Sequence, residues 1–426
     1  MLEIKFLREN PDVVKAGLRK RNYDENALKI VDETIAIDTE RRQSQTSLDR
    51  LLAESNQSAK LIGNLYREGK HEEADKLKVE VAAAKSKIKE LEAQLNEAEA
   101  ALENALLSIP NLPHELVPFG KGEAENEIFQ DWTKPLPELG DDAMAHWDLA
   151  KKYNIIDFGL GAKISGSGFA LFRGKGAKLE RALINFFLDE ADKAGYEEII
   201  PPLLVNEASA RGTGQIPDKE GQMYYAEKDD LYLIPTAEVP ITNIYRDVIL
   251  DSEDFSIKMT GYTPCFRREA GAHGSEVRGL NRVHQFDKVE IVRIEHPNNS
   301  YKVLDEMLDH VRGLLEKLEL PYRILRLCGG DTGFTSALTY DFEVYSAAQK
   351  RWLEVSSVSN FETYQANRLK LRFRDADGKR HLAHTLNGSA LALARIVAAL
   401  LENNQTEDGI LIPKALIPFT RFEKIG

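Results

Sequence analysis

Two heptad ladders of mostly apolar or small residues constrain the fold of this chain more than any other feature. The first comprises Ile30, Thr34, Ile37, Arg41, Ser44, Leu48, Leu51, Ser55, Ser58, Ile62 and Leu65, and the second comprises Leu77, Val81, Ala84, Ile88, Leu91, Leu95, Ala98, Leu102 and Ala105. Steps of three and four give each helix one apolar seam. Since only a short break containing Gly69 separates the ladders, we predict an antiparallel coiled-coil hairpin over about residues 27–107. Helices of about 40 residues make an arm roughly 60 Å long.

Charge is distributed unevenly along this arm. From Lys60 to Lys89 the sequence has eight Lys or Arg residues against five Asp or Glu residues, whereas the whole chain has a formal net charge of −13. A basic half-arm on an acidic protein suits a polyanion held at a distance. An ordinary solvated coiled-coil surface is the alternative, and the charge pattern taken alone favours it.

Length and composition narrow the class of protein. The 426 residues can hold one arm and one large domain, or two to three domains. Cys265 and Cys328 are too few for a disulfide framework or a Cys-rich zinc site. The N-terminus has no signal pattern and no run approaches 18 apolar residues, so we expect a cytoplasmic protein without a membrane partner. The negative net charge disfavours DNA as a partner.

Beyond the arm, the sequence predicts a mixed domain. Residues 110–145 are rich in proline and acidic residues and are typical of a connector. Helices are predicted over 175–194, 300–319 and 388–402, and strands over 197–205, 257–269, 281–294, 340–345 and 351–358. Pro201 and Pro202 confine the 197–205 strand to a sheet edge or an interface. The next two strands flank a Gly-rich loop as a hairpin, so the fold class is α+β with a mainly antiparallel sheet.

The common phosphate-binding loops are absent from the sequence. The nearest P-loop match, from Gly168 to Lys175, has five residues between its glycines instead of four, and Gly176 where Ser or Thr is needed. No His, Cys or carboxylate cluster has metal-ligand spacing. Any phosphate chemistry must therefore use arginines and Mg²⁺ held by carboxylates.

Several segments resemble the class II aminoacyl-tRNA synthetases. Residues 266–269 with 278–290 look like motif 2, the region 175–205 looks like motif 1, and Asn387–Ser389 with Arg395 looks like motif 3. The segments 212–217, 233–240 and 354–357, with the long arm, narrow the resemblance to seryl-tRNA synthetases of the bacterial type. It covers essentially the whole chain.

This resemblance implies two domains. The first is an N-terminal tRNA-binding domain with the coiled-coil arm, over residues 1–110. The second is a catalytic domain over residues 111–426, in which motif 1 spans about 175–205, motif 2 about 257–294 and motif 3 about 385–402.

The resemblance also implies an ATP site. It assigns Arg267 to the α-phosphate and the substrate carboxylate, and Arg395 to the γ-phosphate of a bent ATP, and both tasks suit a planar guanidinium. The other implied ATP-binding residues are Arg268, Glu269, Val283, Phe286, Glu354, Val355, Ser356 and Ser357. Of these, Glu354 and Ser357 would also hold Mg²⁺ through oxygen ligands. No zinc is expected.

The implied serine-binding residues are polar for a physical reason. They are Thr236, Ala237, Glu238, Glu290, Thr385, Asn387 and Ser389. The resemblance puts residues 236–238 at the substrate ammonium, and Glu290 with Thr385 near its hydroxyl. A site built to hydrogen-bond a hydroxyl rejects alanine, because its buried polar groups would be left unpaired.

The function that the resemblance implies is a serine–tRNA ligase that acts as a homodimer. It activates L-serine with ATP and transfers serine to tRNA(Ser), and to tRNA(Sec) where present. The exposed arm lysines would contact tRNA phosphates; they are Lys76, Lys78, Lys85, Lys87 and Lys89. An amino acid:carrier-protein ligase is the alternative, but such relatives lack the long arm. A non-catalytic adaptor is a third hypothesis. Five retained residues argue against it: Arg267, Glu269, Glu290, Glu354 and Arg395.

Overall fold

The computed structural model describes residues 1–140, 142–218, 221–269 and 278–426. Most of the Gly-rich loop between the two motif 2 strands lies outside the described residues. The chain divides into two units. The arm unit comprises Leu2–Arg19 and Tyr23–Pro110, and the main unit comprises Met1, Lys20–Asn22 and Asn111–Gly426. In these described ranges, no helix is long and apolar enough to span a bilayer.

The arm unit is entirely helical where it has regular structure. Its helices are α1 (Ile4–Glu9), α2 (Pro11–Lys20), α3 (Lys29–Arg67) and α4 (His71–Ser108). Every residue of both heptad ladders is buried or half-buried, and α3 packs against α4 along its length. Buried Ala74 extends the second ladder by one step. Gly69 has a φ of +77°, in the left-handed region that a tight turn between the helices requires. The predicted antiparallel hairpin is confirmed.

A buried ion-pair cluster explains the arginine in the first ladder. The Asp38 carboxylate is 0% exposed and pairs with Arg8 at 2.6 Å and with Arg41 at 2.9 Å. A buried carboxylate is tolerated only when it is paired and hydrogen-bonded in this way. Arg41 therefore replaces an apolar seam residue without leaving a charge unpaired.

The main unit is built on one eight-stranded sheet. Its strands are β1 (Glu127–Gln130), β2 (Glu197–Glu198), β3 (Ile257–Phe266), β4 (Gln285–Glu295), β5 (Tyr322–Arg326), β6 (Leu338–Ser346), β7 (Arg351–Asn360) and β8 (His384–Ala392). The order across the sheet is β1-β5-β6-β7-β8-β4-β3-β2. All neighbours pair antiparallel except β2 with β3, so the predicted α+β class is confirmed.

Helices and small sheets complete the main unit. The helices are α5 (His146–Lys152), α6 (Phe158–Ser165), α7 (Gly174–Lys193), α8 (Glu207–Thr213), α9 (Glu238–Asn243), α10 (Ser300–Lys317), α11 (Thr363–Leu369), α12 (Leu393–Asn403) and α13 (Ile417–Thr420). The small sheets comprise Leu204–Val205 with Tyr225–Ala226 and Leu231–Leu233; Ile249–Asp251 with Arg372–Arg374 and Arg380–Leu382; Gln405–Thr406 with Gly409–Leu411 and Lys424–Ile425; and Ile156–Asp157 with Leu171–Phe172. The apolar faces of α7, α10 and α12 pack on the main sheet to form the largest core.

Three sequence predictions need correction. The connector over 110–145 is not only a linker, because it supplies the edge strand β1. The strand predicted over 197–205 is broken at its prolines: β2 joins the main sheet, and Leu204–Val205 joins a separate sheet. Asn387–Ser389 do not start a helix. They lie within β8, whose backbone bonds to β4 and β7 on both sides, and α12 begins only at Leu393.

Candidate active site

A cavity of about 630 Å³ in the main unit gathers most of the predicted site residues. Strands β4, β7 and β8, helix α12 and the segments that flank motif 2 line this cavity. The predicted residues among its lining are Thr236, Glu238, Arg267, Glu269, Val283, Phe286, Glu290, Glu354, Val355, Ser356, Ser357, Asn387, Ser389 and Arg395. Residues up to 159 positions apart in the sequence, Thr236 and Arg395, are thus brought to one space.

Alternation along β4 places three chemically different side chains at the cavity. Phe286, Lys288 and Glu290 are two residues apart, and all three line it. Between Lys288 and Glu290 the pairing of β4 with β8 shifts register. The extra residue of this bulge lies on β8, and β4 pairs with β3 without interruption. Regular alternation along β4 therefore presents an aromatic ring, a cation and a carboxylate to the same space.

Arg267 is positioned by the strand pair and by an aromatic ring. Its Cζ lies 5.3 Å from the centroid of the Phe286 ring. Its Nε donates to the Pro235 carbonyl oxygen at 3.3 Å, and its backbone N–H donates to the His284 carbonyl oxygen at 3.0 Å. A guanidinium oriented in this way at a cavity wall can donate to two anionic oxygens at once.

Arg395, on the first turn of α12, is held from two sides. Its Nε donates to the Asn281 carbonyl oxygen at 3.0 Å, and one Nη donates to the Glu354 carbonyl oxygen at 2.6 Å. The same Nη lies 3.5 Å from the Glu354 carboxylate. Two backbone acceptors from separate segments therefore fix the plane of this guanidinium.

Glu354 and Ser357 form a small set of oxygen donors at the cavity. Ser357 Oγ lies 3.5 Å from Glu354 Oε1. Desolvation and the Glu354 charge raise the pKa of nearby Asp341 well above its usual range. Magnesium is commonly held by one or two carboxylates together with waters and substrate phosphates, and this donor set fits that pattern. Among the described residues, no group of three or more His, Cys, Asp or Glu could hold a metal ion by itself.

A buried polar cluster surrounds Thr236. Lys288 Nζ donates to Thr236 Oγ1 at 2.8 Å, and the Thr236 hydroxyl donates to Glu290 Oε2 at 3.0 Å. Lys288 also forms an ion pair with Glu290, and their side chains are 7% and 2% exposed. Sequence reasoning missed Lys288, although its position two residues before Glu290 on a strand was a usable signal.

The Glu238 carboxyl has a raised pKa, a feature that is common at functional sites. Burial and the neighbouring Glu290 carboxylate raise its pKa to about 7. Gln365 Nε2 donates to Glu238 Oε1 at 2.7 Å, and the Thr385 hydroxyl donates to Gln365 Oε1 at 2.7 Å. Gln365 was not predicted, because it lies on α11 outside every motif.

Three predicted residues do not line the cavity. Thr385 lies behind its wall and contacts Gln365 instead. Arg268 is exposed, and its Cζ lies 5.8 Å from the centroid of the Tyr224 ring. Ala237 is buried immediately before α9. Thr385 therefore reaches the cavity-lining Glu238 only through Gln365, and Arg268 lies outside the cavity.

The five predicted tRNA-binding lysines are all exposed on α4 of the arm unit. Steps of seven and four put Lys78, Lys85 and Lys89 on one stripe of the helix, whereas Lys76 and Lys87 are eleven residues apart on another. Lys78 Nζ lies 4.6 Å from the centroid of the Tyr66 ring. The lysines thus divide into two faces of the arm.

Comparison with known proteins covers the whole chain. The family model "Seryl-tRNA synthetase N-terminal domain" matches residues 1–113, and the model "tRNA synthetase class II core domain (G, H, P, S and T)" matches residues 223–404. The serine–tRNA ligase of Salinibacter ruber is 50% identical over 428 residues, which cover 100% of this chain and 99% of the relative. The chain belongs to the seryl-tRNA synthetase family. A member of this family from Pyrococcus horikoshii, crystallised with ATP, is 36% identical with a TM-score of 0.92, covering 100% of this chain and 99% of that one.

A more distant member shows how far the architecture of the seryl-tRNA synthetase family persists. The cytoplasmic enzyme of Naegleria fowleri, in complex with AMP, is 26% identical to this chain. Its TM-score is 0.87, over 100% of this chain and 98% of that one. A relative with 26% identity therefore retains the fold of this chain.

Proposed function

We propose that this chain is a serine–tRNA ligase, which activates L-serine with ATP and transfers it to the 3′ end of tRNA(Ser). The observation that carries the proposal is the cavity itself. It places Arg267 and Arg395, which suit phosphates, beside the buried Thr236, Glu238 and Glu290. Full-length similarity to serine–tRNA ligases supports the same function. A carrier-protein ligase is disfavoured, because the arm unit matches the N-terminal domain of this family.

The first half-reaction needs positioning and charge stabilisation rather than a protein nucleophile. A serine carboxylate oxygen attacks the α-phosphorus of ATP, the bond from that phosphorus to the β-bridging oxygen breaks, and pyrophosphate leaves. Arg267 contacts the α-phosphate and the attacking carboxylate, and it stabilises the charge that develops between them. Arg395 holds the γ-phosphate, and the Phe286 ring stacks on adenine. Glu354 and Ser357 would hold Mg²⁺, which would supply positive charge to offset the charge on the leaving group.

The second half-reaction moves serine to tRNA. A hydroxyl of the terminal ribose attacks the carbonyl carbon of seryl-adenylate, and AMP leaves with the bonding electrons. Lysines of the arm contact tRNA phosphates. Where an organism has tRNA(Sec), the same reaction loads serine on it.

We place the enzyme in the cytoplasm, where its substrates meet.

Amino-acid-dependent exchange between ATP and pyrophosphate tests this function. We expect signal with serine and little with the other amino acids, including alanine and threonine. The control omits the amino acid. Exchange with a different amino acid, or with none, would reject the serine assignment.

Glu238 predicts a pH dependence of serine affinity. With a pKa of about 7, its carboxyl is ionised above that pH and protonated below it. Since only the ionised form attracts the substrate ammonium, the KM for serine should rise as pH falls, by about tenfold one unit below the pKa. The Glu238→Gln variant should have a high KM at all pH values and lose this dependence. A wild-type KM for serine that stays constant from about pH 6 to pH 8.5 would contradict the role.

The edge of the main sheet predicts a homodimer. Strand β2 is short and is followed by Ile200, which is 89% exposed, and by the exposed Leu203 and Leu204. A sheet edge next to apolar side chains is normally covered. We expect light scattering to give about twice the chain mass of 47.9 kDa. The Ile200→Lys variant should shift toward monomer, whereas Ile164→Lys, at another exposed apolar residue, should not. A fully active wild-type protein of single-chain mass would contradict this prediction.

A further inference from the structure

Residues 278–281, which lead into β4, are held by two adjacent residues of α5. The Arg278 guanidinium lies over the Trp147 ring, with its Cζ 4.4 Å from the ring centroid. Gly279 has a φ of +66°, and a Cβ at this position would lie 2.2 Å from His146 Nε2. The Leu280 backbone N–H donates to that nitrogen at 2.8 Å. Helix α5 belongs to none of the three class II motifs, yet it contacts the base of motif 2.

The hydrogen bonds of His146 define its tautomer. A backbone N–H can only donate, so Nε2 is the unprotonated nitrogen and Nδ1 carries the hydrogen. Nδ1 lies 2.6 Å from Glu402 Oε1, and both side chains are 0% exposed. Burial raises the pKa of Glu402, but hydrogen bonds from His146 and Ser346 outweigh it and leave the pKa below its usual range. The carboxylate therefore fixes the orientation of the imidazole, as an orienting partner does for a catalytic histidine.

A second branch of the same network reaches Arg395. Gln349 Nε2 donates to Glu402 Oε1 at 3.0 Å, and the Asn281 side-chain amide donates to Gln349 Oε1 at 2.9 Å. The Asn281 carbonyl oxygen then accepts the hydrogen bond from Arg395 Nε. Arg395 and Glu402 are seven residues apart on α12, so they lie two turns apart on one face. The residues of the network connect Leu280 and Asn281 to the arginine at the cavity.

From this arrangement we infer that His146 is a positioning residue for ATP. By accepting the Leu280 N–H, it fixes the backbone of Leu280 and Asn281, and so fixes the carbonyl oxygen that orients Arg395. The inference rests on the proposed function, since it assigns His146 to the ATP part of that site.

Two variants of His146 separate positioning from packing. Glutamine can place an oxygen acceptor near the position of Nε2, whereas asparagine can replace only Nδ1 and leaves the Leu280 N–H unpaired. We expect His146→Asn to weaken ATP binding by about 10- to 100-fold, the size of effect that follows from misplacing one hydrogen bond to a charged group. His146→Gln should remain within a few-fold of wild type. In both variants the KM for serine should stay close to the wild-type value, because the inferred role concerns ATP alone.

Calorimetric titration with ATP alone, without serine, is the primary measurement. Equal ATP affinity in the wild type and in His146→Asn would reject the positioning role. Parallel losses of ATP and serine affinity with a lowered melting temperature would also reject it. The proposed function is tested separately by the exchange assay, and absence of serine-dependent exchange in the wild type would reject it. The control is His310→Gln, a half-buried histidine on α10 that has no contact with this network. If His146→Asn does not fold, Gly279→Ala disturbs the same contact from the other side and should weaken ATP binding similarly.

Discussion

Replacing Arg267 by alanine should reduce serine-dependent pyrophosphate exchange by about 100- to 1,000-fold while leaving the fold intact. The guanidinium is held at the cavity by the Phe286 ring and the Pro235 carbonyl oxygen. In the proposed reaction it contacts charge that develops only as the carboxylate attacks the α-phosphorus. Removing one preorganised donor of this kind costs about 2.7–4 kcal/mol of transition-state stabilisation. The loss should appear mainly in kcat.

Two neighbouring variants make this result specific. Arg268→Ala removes the adjacent guanidinium, which lies over Tyr224 outside the cavity, so the exchange rate should fall only a few-fold. Arg267→Lys keeps the charge but loses the planar pair of donors, and it should recover only part of the activity. Exchange by Arg267→Ala within a few-fold of wild type, or an equal loss in Arg268→Ala, would refute the assignment of Arg267.

Removal of the arm should separate the two half-reactions. Antiparallel pairing brings the start of α3 close to the end of α4. A short Gly-Ser linker can therefore replace residues 30–105. The main unit has its own core and holds the whole candidate site, so it should fold without the arm. Pyrophosphate exchange should change little. Aminoacylation at low tRNA concentration should collapse through loss of tRNA affinity.

The salt dependence of tRNA binding gives an independent measure of the arm. For each tRNA phosphate that the truncated enzyme no longer neutralises, the plot of log affinity against log salt should become shallower by about 0.7–0.9. Lys78, Lys85 and Lys89 share one stripe, so their triple substitution by glutamine should reproduce part of this change. Substitution of Lys76 and Lys87 by glutamine, with the same measurement of the slope, tests whether the other face of the arm also contacts tRNA phosphates. Unchanged aminoacylation and an unchanged slope in the truncated enzyme would mean that the arm has another purpose.

The fold could be predicted from sequence where one periodicity dominates. The ladders of α3 and α4 repeat over many heptads, and both helices form where the pattern puts them. Short strands and helices could be predicted less well, because their few residues form no long repeat. Strand β1 lies in a stretch whose prolines and acidic residues are typical of a connector, and only its pairing with β5 makes it a strand. The run after Asn387 is apolar enough for a helix, but pairing on both sides in the sheet decides for β8.

Site residues could be predicted where a family motif marks them. Arg267, Glu290, Glu354 and Arg395 all line the cavity. Supporting residues could not be found in this way, because they come from elements far apart in sequence. Gln365 on α11 donates a hydrogen bond to Glu238, and His146 on α5 accepts one from Leu280. These contacts depend on tertiary packing, which a linear pattern does not encode.

The buried cluster around Thr236 has a consequence for how an amino acid is oriented. Lys288 and Glu290 neutralise each other within hydrogen-bonding distance of the same hydroxyl. Among the other charged side chains that line the cavity, Glu238 and Arg267 are the two that the proposed function assigns to the ammonium and the carboxylate of the substrate. A free amino acid at neutral pH is a dipole with one positive and one negative end, and the two poles of the pocket match it in one direction only. Electrostatic alignment can thus turn the carboxylate of the amino acid toward the nucleotide before its side chain contacts the pocket.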